Sequence, residues 1–348
     1  MPAPVAKYHF SIFEYNGATN NSAATKAVMD CSKLFSQKGY ADKMLTFHNN
    51  SKRGIRFYSS VLMGVIKFLF SVKRGALVGV QYPMLNNVFK YFIVASRIKK
   101  IKFFCVVHDI ESLRLGGKDT TAVATELSNL NYYSSIIVHN NKMKQWLSRN
   151  GVTSKMVSLK LFDYIIDKLP ERKNAIFSNS IVYAGNLGKS RFVNFLGAIP
   201  NWRFNLYGPN YAISGKESNV SWNGEFSPEQ IVYELQGDFG LVWDGDSIDR
   251  MDDVLGNYLK YNNPHKLSLY IAAGLPVIVP AGAAIADFVS ANKIGLLVKS
   301  LNDLKNIVFT TEEYQAMKAN IGRLQLKVAK GDHFLAALEI VEEQLIRG

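Results

Sequence analysis

Short apolar runs, each ending abruptly in polar residues and separated from the next by a helical segment, recur along this chain. That alternation admits few folds. Strands joined through a helix must lie parallel, and parallel sheets are buried on both faces by the helices that connect them. The runs are YHFSIFEY (8–15), ADKMLTFH (41–48), GALVGVQYP (75–83), KIKFFCVVHD (100–109) and SSIIVHN (134–140), and the pattern restarts with IFSNSIVYAGNLG (176–188). A Gly/Asn/Ser-rich loop from residue 16 feeds a helix that stops at Gly39. The fold class is therefore α/β. At 348 residues and 48% hydrophobic the chain is too long for one ordinary core. Two domains are expected, over 1–165 and 170–332, hinged in the charged, proline-bearing loop from Phe162 to Asn174.

The stretch Gly237–Val279 carries the clearest chemistry. GDFGLVW reads as a buried strand opening into Asp244-Gly245-Asp246, and in open α/β sheets ligands collect at that end. Asn263 and Pro264 are expected to open a helix that runs to Gly274, with PVIVP (276–280) as the next strand. Lys266 falls in the first turn, where a cation opposes the helix dipole by roughly 0.3–1 kcal/mol unless an anion lies over the free amides. A diphosphate fits that place; a lysine pointing into solvent is the plain alternative.

Charge is divided unevenly. Residues 1–165 hold 23 Lys+Arg against 8 Asp+Glu, leaving 18 against 20 for the remainder, so a net of +15 faces a net of −2. Within the basic half, 55–74 and 86–104 are apolar segments studded with Lys and Arg. Both suit helices resting on an anionic bilayer, or core-facing helices with cations on the wet side. Nucleic acid is a poor partner for this charge, because no helix-turn-helix, RNA-recognition or zinc-finger pattern accompanies it. Cys31 and Cys105 stand in apolar or helical surroundings, and no Cys/His cluster has metal-ligand spacing. The N-terminus lacks a signal-peptide layout and no uncharged apolar run reaches about 18 residues, so a cytoplasmic protein is expected.

Other candidate site residues fall at strand ends. Gly185 and Asn186, with Lys189 nearby, allow a backbone to approach a phosphate or ribose. Tyr207-Gly208 ends one strand and Phe226 follows another, so the two rings are candidates to flank a nucleobase. Trp243 is a candidate donor contact, Asp244 and Asp246 are candidates for the sugar hydroxyls, and Tyr258, Asn263, His265 and Lys266 for the diphosphate. The aspartates at 244, 246, 249, 252 and 253 lack the spacing of a calcium loop and read as a solvated acidic loop. On the first domain Gly17, Thr19, Asn20 and Ser22, together with His108, Asp109 and Glu111, are expected to face the donor and hold an acceptor.

The segments VYAGNLGKSRF (182–192), FGLVWDGDS (239–247), GNYLKYNNPHKLSLYIAAGLPVI (256–278), VVHDIESLR (106–114) and LKLFDY (159–164) resemble those of bacterial β-1,6-galactofuranosyltransferases, and more distantly of glucosyltransferases that extend glycans on streptococcal adhesins. The resemblance implies a GT-B fold, two Rossmann-like domains facing a cleft, with the acceptor on the first and a nucleotide sugar on the second. It also implies inversion at the anomeric carbon, no bound metal or other cofactor, and a C-terminal helix, 333–348, packed back on the first domain. UDP-galactofuranose is the donor so implied and a glycan or lipid-linked oligosaccharide the acceptor, at the inner face of the cell membrane. UDP-glucose or another UDP-hexose, or a non-catalytic glycan-binding partner subunit, are the alternatives, and a homo-oligomer is left open. For an inverting transfer Asp109, just past a buried strand, is expected as general base with His108 beside it, unless it merely caps the next helix; Lys266 is expected to stabilise the leaving group. The paired glutamates of many retaining GT-B enzymes are missing, with Asp287 left as a candidate to reach the sugar.

Overall fold

The computed structural model describes residues 5–14, 23–47, 55–83, 86–171, 177–212 and 217–347. Six strands form the first sheet: β1 (Lys7–Glu14), β2 (Ala41–Phe47), β3 (Leu77–Tyr82), β4 (Lys102–Val107), β5 (Ser135–Val138) and β6 (Lys155–Ser158). Their spatial order is β2-β1-β3-β4-β5-β6 and every pairing is parallel. The helices between them are α1 (Ala23–Gln37), α2 (Ile55–Ser71), α3 (Asn86–Ser96), α4 (Glu111–Arg114), α5 (Thr120–Leu130) and α6 (Asn141–Arg149). The segment 86–104 is not one helix: α3 stops at Ser96, a tight turn follows over Arg97–Lys99, and β4 begins at Lys102.

The second sheet contains β7 (Ser180–Ala184), β8 (Arg203–Tyr207), β9 (Val220–Trp222), β10 (Phe239–Leu241), β11 (Val277–Pro280) and β12 (Gly295–Val298). Its order, β12-β11-β10-β7-β8-β9, is again wholly parallel. This is the doubly wound dinucleotide-binding order, whose switch point lies between β7 and β10. Its helices are α7 (Ile231–Glu234), α8 (Val254–Tyr258), α9 (His265–Ala272), α10 (Ala286–Asn292) and α11 (Thr311–Lys330). Among the described residues no helix is long and apolar enough to cross a membrane.

The last helix, α12 (Asp332–Arg347), leaves the second domain at Gly331 and lies against α1 of the first. Phe334, Leu338, Val341 and Leu345 bury there with Leu34 and Phe35, which is worth on the order of 6–12 kcal/mol before ordering costs. Polar ties fix its register. Asp163 accepts hydrogen bonds from the Phe334 amide at 2.7 Å and from His333 Nδ1 at 2.9 Å, and Glu342 accepts from Lys7 at 2.7 Å and Tyr40 at 2.9 Å. The segment after β6 is likewise shared between the halves. Leu161 and Tyr164 belong to the second domain's core, while Phe162 and Ile165 belong to the first domain's.

Candidate active site

At the ends of β7 and β8, against the start of α9, the second domain surrounds a cavity of about 480 Å³, a size suited to a small ligand. Gly185, Asn186 and Lys189 form one wall, Tyr207, Gly208 and Pro209 another, and Phe226, Pro228 and Ile231 a third. His265, Lys266 and Leu269 of α9 close it with Tyr164. Two glycines make the close approach feasible. Gly208 has φ +132°, and a Cβ there would lie 2.0 Å from the Gly185 carbonyl oxygen. At Gly185 a Cβ would sit 3.2 Å from Lys266 Cε, so its absence leaves a channel for the lysine stem.

Lys266 occupies the first turn of α9, largely buried. Its Nζ donates to Asp244 Oδ1 at 2.6 Å and Tyr183 Oη at 2.9 Å, approaches the Trp243 carbonyl at 3.4 Å, and stands 4.6 Å from the centre of the Tyr183 ring. Burial alone would favour the neutral amine, but Asp244 and Tyr183 outweigh it and hold the ammonium well above its ordinary pKa. Asp244 is therefore the lysine's counter-ion, not a free acceptor for sugar hydroxyls. The arrangement is propped from below: Tyr183 shares a hydrogen bond with Ser190, and Tyr270 Oη accepts from the Ala184 amide at 2.9 Å.

Several expected donor contacts lie elsewhere. Trp243 is fully buried in the core, its indole N–H donating to the Ser247 carbonyl, so only its backbone oxygen nears Lys266. Asp246 points to solvent, 3.9 Å from Arg191, and does not line the cavity. The acidic loop is bonded to itself, Asp253 accepting from the Gly256 and Asp246 amides. Among the described residues no three His, Cys, Asp or Glu side chains converge as metal ligands. Asn263 does not cap α9, because the residue before His265 is Pro264 with no side-chain cap. Instead Asn263 is buried at the junction of the domains. Its amide group donates to the His139 and Lys160 carbonyls at 2.6 and 3.1 Å and accepts from Asn140 at 2.8 Å. His265 does line the cavity, but as a neutral ring. Burial pulls its pKa to about 4, its Nε2 donates to the Asp163 carbonyl at 3.1 Å, and its buried Nδ1 has no partner. It therefore brings no charge to a phosphate.

Tyr207 and Phe226 both line the cavity, their ring centres 6.2 Å apart and tilted by 45°. The Tyr207 hydroxyl is held by the Glu234 carbonyl and the Gln236 amide, which leaves only the ring face to a ligand. Asn186 turns inward on its own loop, its Oδ1 accepting from the Gly188 amide.

Across the seam lies the end of β4. Asp109 is held up to a pKa of about 6 by burial, which outweighs the opposing pull of Arg114, 3.8 Å away, and of Tyr258. It does not cap α4, whose preceding residue is Ile110. Tyr258, expected at the diphosphate, instead reaches across the domains. Its hydroxyl accepts from the Ile110 amide at 3.0 Å and donates to the Asp109 carboxylate. His108 stacks on Phe162 and donates through Nε2 to Gln81 Oε1 at 2.7 Å; burial, with His139 and His265 adding to it, lowers its pKa to about 3, so it is neutral. Glu111 pairs with Arg114 at 2.8 Å. The buried Glu126 accepts from the Glu111 and Ser112 amides and from Tyr82, fixing the start of α4. Asp287 faces Lys142 of the first domain at 3.4 Å and is otherwise exposed. Gly17, Thr19, Asn20 and Ser22 lie outside the described residues.

Sequence reading missed Tyr183 and Tyr164. Tyr183 sits inside a strand where an aromatic reads as core, and Tyr164 inside the presumed hinge; only the fold shows that one supports Lys266 and the other walls the cavity.

Residues 7–161 match the glucosyltransferase 3-like N-terminal domain and residues 181–340 the glucosyltransferase 3-like C-terminal domain. The chain is 33% identical over 300 residues to the β-1,6-galactofuranosyltransferase WbbI of Escherichia coli, covering 83% of this chain and 86% of that one. It is 28% identical to glucosyltransferase 3 of Streptococcus gordonii, covering 90% and 92%. In fold it is similar to Anabaena HepE in complex with UDP and glucose, with a TM-score of 0.62 at 12% identity over 97% of this chain and 98% of that one. Both domains match in order and along most of their length, so the chain belongs to the glucosyltransferase 3-like family and is a glycosyltransferase of the GT-B fold.

Proposed function

We propose that this protein transfers galactofuranose from UDP-galactofuranose to a hydroxyl of a glycan or lipid-linked acceptor in surface polysaccharide synthesis, with inversion. The observation that carries the donor half of this reading is Lys266, a cation held between the ends of β7 and β10 at the N-terminus of α9 and lining the adjoining cavity. The sugar is supported by the similarity to the E. coli galactofuranosyltransferase. In the reaction the acceptor oxygen bonds to the anomeric carbon as the bond to the diphosphate breaks, the electron pair leaving with UDP. Lys266 and the first amides of α9 meet that developing charge. Asp109 takes the acceptor proton; a carboxyl titrating near 6 is ionised at neutral pH and basic enough to act. Since the leaving-group charge is assigned to a fixed cation, transfer is expected in EDTA.

A second reading keeps the site and changes the donor to UDP-glucose, which the similarity to the streptococcal glucosyltransferase favours. Calorimetric titration of UDP in EDTA tests the shared part. Wild type is expected to bind and Lys266→Ala to bind about 10–100-fold more weakly, a charged hydrogen bond contributing ~1.5–3 kcal/mol. Unchanged affinity in Lys266→Ala would remove the diphosphate from this place. Release of UDP from UDP-galactofuranose but not UDP-glucose, with acceptor present, decides the sugar; no turnover of either with intact UDP binding points to a glycan-binding partner subunit.

A further inference from the structure

From Ile55 to His108 the chain carries nine Lys and Arg (Arg56, Lys67, Lys73, Arg74, Lys90, Arg97, Lys99, Lys100 and Lys102) and no Asp or Glu. The fold places much of this stretch on one side of the first domain. α2 turns Val65, Phe68 and Val72 into the core, yet its outer face is apolar too: Leu62 is 61% exposed and Phe70 87%, with Met63 and Ile66 also outside. α3 and the turn after it add Tyr91, Val94 and Ile98, the last 78% exposed. The two faces are contiguous. Phe68 and Phe92 meet beneath them at 6.0 Å, and Lys99 Nζ donates to the Leu69 and Val72 carbonyls, fastening the end of α2 to the turn that bears Ile98. Lys67, Lys73, Arg74, Arg97 and Lys100 are exposed around the apolar side chains.

Helices that bury one face in a soluble core have no structural need of a second apolar face, and isolated exposed apolar residues do not cluster in this way. We propose that the outer faces of α2 and α3 with the Arg97–Lys99 turn are a docking surface for an anionic lipid bilayer, the apolar side chains entering the headgroup boundary and the flanking cations meeting lipid phosphates. The charge decides between occupants. A second copy seated symmetrically on this face would set the same patch against itself and bring Lys and Arg against Lys and Arg with no acid in the stretch to pair them. A nucleic acid would leave Leu62, Ile66, Phe70 and Ile98 without an apolar partner. A bilayer with anionic headgroups satisfies both halves of the surface. The inference is independent of the donor sugar.

Vesicle flotation of the full chain tests it, using phosphatidylcholine alone and three parts phosphatidylcholine to one of phosphatidylglycerol. Wild type is expected to float with the anionic vesicles, to stay in solution with the neutral ones, and to be released by high salt. Each basic residue near such a surface is worth about fivefold in partition, so Lys73→Gln with Arg74→Gln is expected to lower binding roughly 25-fold. Phe70→Ser with Ile98→Ser, both on exposed side chains, is expected to abolish flotation while UDP binding stays at the wild-type level, which shows the fold intact. The proposal is overturned by no flotation of wild type, by equal flotation with neutral vesicles, or by a wild-type dimer without vesicle binding that the serine variant dissociates. The last assigns the face to a second copy. Retention of anionic vesicles by both double variants also overturns it.

Discussion

Tyr258 lies outside the cavity that Lys266 lines, yet on the proposed mechanism it has leverage over the acid limb of the reaction. Asp109 titrates at about 6 where an ordinary aspartate titrates near 3.8. The difference corresponds to about 3 kcal/mol of disfavoured ionisation, an upper figure because water reaches 31% of the side chain. Tyr258 works against that penalty by donating to the carboxylate. A hydrogen bond to a charged group contributes ~1.5–3 kcal/mol, and water taking the vacated place recovers part of it, leaving about 1 kcal/mol. Tyr258→Phe should therefore raise the Asp109 pKa by a little under one unit, to about 7. If Asp109 is the base, kcat/KM falls as pH drops through this value, since the active form is ionised. The assay is UDP release across the pH range at low donor concentration. Wild type and variant are expected to agree within about twofold at pH 8.5, to differ by about threefold at pH 6 and to approach about fivefold below pH 5. Because the reading is a ratio between pH values in one protein, loss of folded enzyme in the variant cancels. An acid limb that does not move, or one near 6 that survives in Asp109→Asn, refutes the reasoning.

The same carboxyl has a stability signature of opposite sense. Its folded pKa lies above the unfolded one, so the folded state is penalised above about pH 6 and relieved as pH falls towards 3.8; Asp109→Asn should raise Tm at pH 8 and leave it unchanged at pH 4, and equal shifts at both would contradict the raised pKa. Asp244→Asn frees Lys266 from its resident anion, so UDP should bind several-fold more tightly by calorimetry even as sugar transfer slows, and weaker UDP binding would show that the pair acts as a unit. Gly208→Ala forces a Cβ to within 2.0 Å of the Gly185 carbonyl at a φ of +132°; a loss of more than about 3 kcal/mol by chemical denaturation is expected, and a near-normal midpoint would mean that the two strand ends separate freely.

What was legible and what was not divides by the distance over which a residue acts. The strands that carry the sheets announce themselves locally: β1, β2, β3 and β4 each lie within one or two residues of the expected runs, because a strand buried on both faces must be apolar along its length. Lys266 is legible for the same reason, since strand, loop and helix within one βα unit place it at the switch point whatever the rest of the chain does. Asn263 and Tyr258 stand in that segment too, and there local reasoning fails. A polar residue before a proline looks like a cap until His139, Asn140 and Lys160, more than one hundred residues upstream, claim its side chain. A tyrosine at the end of a short helix looks like a ligand contact until the Ile110 amide takes its hydroxyl. Both are fasteners between the domains, and a fastener has no periodicity because its partner is set by how two complete sheets meet. The seam thus imposes on the donor domain's most informative segment a second demand unrelated to the nucleotide. Residues that hold the domains together and the cation proposed for a diphosphate are interleaved there within nine positions, Tyr258 and Asn263 serving the first role and Lys266 the second.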